Sequence, residues 1–169
     1  MNNRARWTAL LSASTAAALL SGCGADRPPQ PTANFDANGV GITVVLKEQS
    51  GSDEMMDVTF TPQRSLFHLY SIDLPEGGVD GLGVPTTVTV RGALQATGAP
   101  SANVPVRELR FDALDVSLPV YPDGPVTVSV PVRRTGSSRD AAVVVSYGAC
   151  SRTQCLPPVT DHTIPLRLG

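Results

Sequence analysis

Five residues in the second half of the chain, Val126-Thr127-Val128-Ser129-Val130, alternate strictly between a β-branched apolar side chain and a hydroxyl. Successive side chains of a strand point to opposite faces, so this pattern predicts one apolar and one hydroxylic face, as a half-buried sheet requires. Val88-Thr89-Val90 repeats it. Short runs rich in β-branched residues recur over residues 40–46, 56–60, 66–72, 86–91, 104–111, 125–132, 141–147 and 163–168, with turn residues between them. No stretch carries a helical apolar period, and the 15 prolines and 15 glycines fall mostly between the runs. The expectation is an all-β chain, a sandwich of short antiparallel strands. Pro131 and Pro165 lie inside strand-like runs and are expected at edges or bulges, because proline donates no ladder hydrogen bond.

The start of the chain has a different character. Arg4 and Arg6 precede an apolar stretch over residues 8–20, and Leu20-Ser21-Gly22-Cys23 follows with no acidic residue before it. A basic start, an apolar segment too short to span a bilayer and a small-residue cleavage region define a secretory signal over residues 1–22. The site resembles the bacterial lipobox, which implies diacylglycerol on the Cys23 thiol and removal of everything ahead of it. Two or more acyl chains give lasting attachment, since each buried methylene contributes about 0.8 kcal/mol. By the same resemblance, Gly24 after the lipidated cysteine implies the outer membrane where the bacterium has one. Residues 23–38, rich in Pro, Ala, Asn and Gln, read as a lipidated flexible tether, and residues 39–169 as the folded domain. Processing takes two of the 13 basic residues and none of the 15 acidic ones, which leaves a mildly acidic chain. A nucleic-acid partner would call for a clustered basic face, and none is present in the sequence.

Three cysteines are present, and one is committed to lipid. Cys150 and Cys155 remain, and in an oxidising compartment such a pair can close a disulfide. Closing a loop of about six residues removes chain entropy worth only about 2 kcal/mol. A staple for stability would span more chain, whereas a small loop can open and close without unfolding the domain. A glycine-rich segment over residues 73–85 is longer than a hairpin needs and either packs over a site or connects strands; residues 133–140 read as a solvated turn.

Tyr147-Gly148-Ala149-Cys150 followed by Cys155-Leu156-Pro157-Pro158 resembles the active-site loop of the amino-terminal (alpha) domain of the thiol:disulfide interchange protein DsbD. Phe67-His68-Leu69-Tyr70-Ser71 with Asp73-Leu74-Pro75, and Val120-Tyr121 leading into residues 126–132, resemble further strands of that family. The resemblance implies an immunoglobulin-like β-sandwich without a cofactor, exchanging disulfides outside the cytoplasmic membrane. Its reductant would be a thioredoxin-like protein or a DsbD-type membrane electron donor acting in trans, and its clients oxidised extracytoplasmic thiol proteins. Cys155 maps onto the cysteine that engages partners and Cys150 onto the resolving thiol. Tyr147 and Tyr70 match tyrosines that shape the family's site. The family shields its disulfide with a cap loop carrying an aromatic residue; here Phe111, with Asp112 and Asp115, occupies about the right region without reproducing that motif.

Two other readings share these residues. One is a binding or structural lipoprotein with a permanent Cys150–Cys155 bond, since a fold does not fix a function. The other is capture of a soft metal by Cys150, Cys155, His162 and His68, whose spacing matches no recognised finger pattern.

Overall fold

The computed structural model describes residue 30 and residues 32–49 and 53–169. Cys23, the expected signal over residues 1–22 and half of the expected tether lie outside the described residues. The described chain contains strands and a single 3₁₀ turn, and no α-helix. In chain order the strands are β1 (Thr32–Ala37), β2 (Val40–Glu48), β3 (Glu54–Pro62), β4 (His68–Leu69), β5 (Thr87–Gly92), β6 (Leu94–Ala96), β7 (Ser101–Ala102), β8 (Arg107–Phe111), β9 (Val116–Val120), β10 (Val126–Arg134), β11 (Asp140–Tyr147), β12 (Ala149–Cys150) and β13 (Val159–Arg167). One sheet runs β1-β2-β3-β10-β6 with β7 also on β10, and a second runs β13-β11-β5. All of these pairings are antiparallel.

The alternation read in the sequence is the alternation of burial. Val126, Val128, Val130 and Val132 on β10 point inward with Val40, Ile42, Val44 and Leu46 on β2, against Val143 and Val145 on β11 and Ile164 and Leu166 on β13. Both sheets thus close on one apolar cluster, and the architecture is an immunoglobulin-like β-sandwich. Thr59 and Thr127, opposite one another on the other face, share a hydroxyl hydrogen bond of 2.8 Å.

Four details depart from the sequence reading. The fold begins at β1, inside the segment expected to be tether: Asn38 and Gly39 both take positive φ (50° and 75°) in a two-residue turn, and β1 pairs with β2 from Ala37↔Val40 to Thr32↔Val45. β9, with the sequence Val-Ser-Leu-Pro-Val, was not expected and pairs with β8. The run at 66–72 shortens to the two residues of β4, because its flanks bond to other segments. Pro131 lies in interior strand β10. Its carbonyl accepts from the Thr97 N–H, so its missing donor faces the same side, between the stretches paired to β6 and β7. Pro165 lies on edge strand β13 as expected.

Candidate functional site

Short ladders at one end of the sandwich assemble the cysteine site. β4 pairs with β12 through Leu69↔Ala149 and His68↔Cys150, and Tyr70 bridges Val120 on the other side. The Leu69 carbonyl also accepts from the Tyr121 N–H and the Phe67 carbonyl from the Gly124 N–H, so β4 is held between β12 and the turn after β9. Side chains alternate across such a ladder. Leu69 and Ala149 therefore face the main core, while Tyr70 and Cys150 join a second apolar cluster with Leu74, Val116, Leu118 and Val120.

Cys150 and Cys155 form a disulfide with their α-carbons 4.0 Å apart, as cross-strand neighbours in a tight hairpin. Hydrogen bonds hold that hairpin independently of the sulfurs. The Ser151 N–H donates to the Gln154 carbonyl at 2.7 Å and the Leu156 N–H to the Ala149 carbonyl at 2.9 Å. The Ser151 hydroxyl oxygen receives the N–H groups of Thr153 and Gln154. The sequence signal for Ser151 is its place at the opening of the turn, where a serine hydroxyl satisfies nearby donors.

The two sulfurs have different surroundings. Cys150 is 4 % exposed, whereas Cys155 lies at the surface. The Tyr70 hydroxyl lies 3.3 Å from Cys150 Sγ. A disulfide sulfur carries no proton, so the phenol is the donor. Burial raises the Tyr70 pKa, which keeps that proton in place. The Tyr70 ring fits between two glycines: a Cβ on Gly83 would come within 3.1 Å of it and one on Gly148 within 3.0 Å. Gly83 belongs to the glycine-rich segment, which packs onto the site rather than merely connecting strands. With Gly81 and Val84 from that segment, and Tyr70, Leu156 and Pro158, the disulfide lines a shallow cleft of about 180 Å³.

The remaining expected site residues fall as follows. Phe111, at the end of β8, is half-buried against the second cluster but does not line the cleft. Asp112 and Asp115 take Arg110 as ion partner at 2.9 and 2.6 Å, and so belong to the tip of the β8–β9 hairpin. Tyr147 does not line the cleft. It continues the inward parity of Val143 and Val145, packs edge-on against Phe60 in the main core and donates to the Ala37 carbonyl at 3.0 Å. Burial, with Asp36 nearby, pushes its pKa up to about 12. Arg152 is exposed on the cysteine hairpin. His162 stacks on Phe35, ring centroids 3.6 Å apart, and does not converge with the cysteines. Among the described residues no three His, Cys, Asp or Glu side chains are grouped to hold a metal ion.

His68 has a different place. Its side chain is 2 % exposed, its Nδ1 lies 3.2 Å from Asp123 Oδ1, and its Nε2 is buried with no hydrogen-bond partner. Arg107 binds the same Asp123 oxygen at 2.8 Å.

No protein-family model matches the chain, and no curated protein matches it. Among solved structures, the N-terminal periplasmic domain of ScsB from Proteus mirabilis is similar, with a TM-score of 0.53 and 13 % identity over 82 % of this chain and 51 % of that one. The GAE domain of GGA2p from Saccharomyces cerevisiae gives a TM-score of 0.41 and 11 % identity, covering 83 % of this chain and 98 % of that one. This chain spans about half the length of the ScsB structure, and at such low identity the likeness to it is one of fold.

Proposed function

We propose that this protein is an extracytoplasmic thiol:disulfide interchange domain, lipid-anchored through Cys23, that relays reducing equivalents through the Cys150–Cys155 pair. The observation that carries the reading is the asymmetry of the pair: Cys155 is open to a partner, while Cys150 is buried under a phenol that donates to its sulfur. A partner thiolate attacks along the S–S axis, so the exposed Cys155 Sγ receives it and Cys150 Sγ leaves with the electron pair. The Tyr70 hydroxyl is positioned to stabilise charge developing on that leaving sulfur, as hydrogen bonds to ionised groups are the stronger ones. Because Ser151 and the Leu156 N–H hold the hairpin without the sulfurs, the bond can open with the turn in place.

The cysteine-loop resemblance and the fold shared with a periplasmic domain of ScsB support the same reading. The electron donor would be a thioredoxin-like protein or a DsbD-type membrane protein, and the acceptors oxidised thiol proteins outside the cytoplasmic membrane.

Trapping tests the assignment of roles. A thioredoxin with one active-site cysteine, activated as its thionitrobenzoate mixed disulfide, is mixed with reduced Cys150→Ser and with reduced Cys155→Ser, each also carrying Cys23→Ser so that one thiol remains. The Cys150→Ser variant should form a dithiothreitol-sensitive adduct at least about tenfold faster, because its remaining thiol is the accessible one. Equal rates, or no adduct with either variant, would contradict the reading.

A further inference from the structure

We infer that His68 is the general base for Cys150, oriented by Asp123, in the step that resolves a mixed disulfide on Cys155. The inference rests on the interchange reading and extends it to a residue that the reading does not use.

Register and burial carry the argument. His68 and Cys150 are directly opposed on β4 and β12, so their side chains leave the ladder on the same face, where β-carbons of opposed residues lie about 4.5–5.5 Å apart. The imidazole is fully enclosed there. Asp123 Oδ1 already receives an Arg107 N–H at 2.8 Å, and as a carboxylate it can only accept. Nδ1 of His68, 3.2 Å away, is therefore the protonated nitrogen, and Nε2 carries the lone pair. A buried acceptor without a donor costs free energy and calls for an explanation. In the disulfide neither sulfur has a proton to give. Reduction creates one donor on this face, the Cys150 thiol, and that is the group an Nε2 lone pair would accept from.

The charged and titratable groups around the ring agree. Asp123, from the turn between β9 and β10, supports an imidazolium, while Arg107 from β8 opposes it but is itself held on Asp123. Tyr70, two residues along on the same face, keeps its proton and donates to the sulfur. Burial outweighs Asp123 and lowers the His68 pKa below its ordinary 6.5, so the ring is neutral and able to accept at neutral pH.

With a partner joined to Cys155 Sγ, the Cys150 thiol gives its proton to His68 Nε2 and its sulfur attacks Cys155 Sγ. The Cys150–Cys155 bond forms, the bond from Cys155 to the partner breaks, and the electron pair departs on the partner's sulfur. That sulfur takes a proton from water, and the imidazolium returns its own to solvent. The pair is oxidised and the partner is reduced. A thiol served by a neutral imidazole that a carboxylate orients is the combination of groups that activates weak nucleophiles elsewhere.

The test uses the full chain with Cys23→Ser, so that the pair holds its only thiols, reduced and mixed with 5,5′-dithiobis(2-nitrobenzoate) in stopped flow. The first thionitrobenzoate released reports attack by Cys155, and the second reports attack by Cys150 on the Cys155 mixed disulfide. In the parent protein the second phase should be nearly flat from pH 7 to 8, because a base with its pKa below 6.5 is mostly neutral there. A thiol with no base would instead speed up about tenfold per pH unit below its pKa of about 8.5. His68→Gln should slow the second phase at pH 7 by about a hundredfold and restore that slope, leaving the first phase within about twofold. Asp123→Asn should slow the second phase by a smaller factor.

A parent second phase that climbs tenfold per unit would overturn the inference without any variant, as would His68→Gln behaving like the parent in rate and slope. In either of those cases two normal phases leave the interchange reading standing. If the parent bond resists dithiothreitol until the domain unfolds, both fall together.

Discussion

Tyr70 sits where three constraints meet: its ring between Gly83 and Gly148, its backbone between Gly148 and Val120 of β9, and its hydroxyl on Cys150 Sγ. The ring is fixed by packing, so the donor is aimed before any charge appears on the sulfur. Removing only the hydroxyl should therefore leave the fold intact and affect the chemistry. Tyr70→Phe is expected to slow reduction of the disulfide by dithiothreitol at pH 7 about fivefold to tenfold, the kinetic equivalent of about 1–1.4 kcal/mol for one hydrogen bond. Far-ultraviolet circular dichroism of the variant should match the parent. An unchanged rate would remove the phenol from the mechanism.

At the scale of elements, the turn between β1 and β2 connects the first strand to the site. The Asn38 side chain donates to the Pro157 carbonyl at 3.0 Å, and a Cβ on Gly39 would stand 3.2 Å from Leu156 Cδ1, one residue after Cys155. Gly39 has φ +75°, which a side chain disfavours, so Gly39→Ala combines backbone strain with pressure on Leu156. It should lower stability by about 1–2 kcal/mol in urea denaturation. The Asn-Gly pair is a strong hairpin signal, yet the sequence of β1 hides its strand, because Thr-Ala-Asn-Phe-Asp-Ala offers only Phe35 as a large apolar side chain. β9 had the alternation of a strand, but Pro119 obscured it. The long strands β2, β3, β10 and β11 were legible because each repeats its inward side chain several times. Tyr147 was legible in principle too: it continues the parity of Val143 and Val145, which points it into the core. The opposition of His68 and Cys150 was not, because it joins segments about eighty residues apart and no local pattern encodes that pairing.

At the scale of the molecule, the sandwich is a support that holds the cysteine hairpin at one end. The main apolar cluster lies between the two sheets, while Cys150 and Tyr70 belong to a separate, smaller cluster closed by the β8–β9 hairpin and the glycine-rich segment. Under the interchange reading, this end changes redox state while the sheets stay packed. The direct measurement is the reduction potential of the Cys150–Cys155 pair in the chain lacking residues 1–23, by equilibration with glutathione or dithiothreitol and thiol trapping, with circular dichroism recorded on the reduced form. Interchange predicts a potential in the range of thiol relays, roughly −180 to −270 mV, and a reduced domain that keeps its β-sheet signal. A potential below about −300 mV, or a bond that is reduced only when the sheets unfold, would contradict it and make the disulfide a structural one.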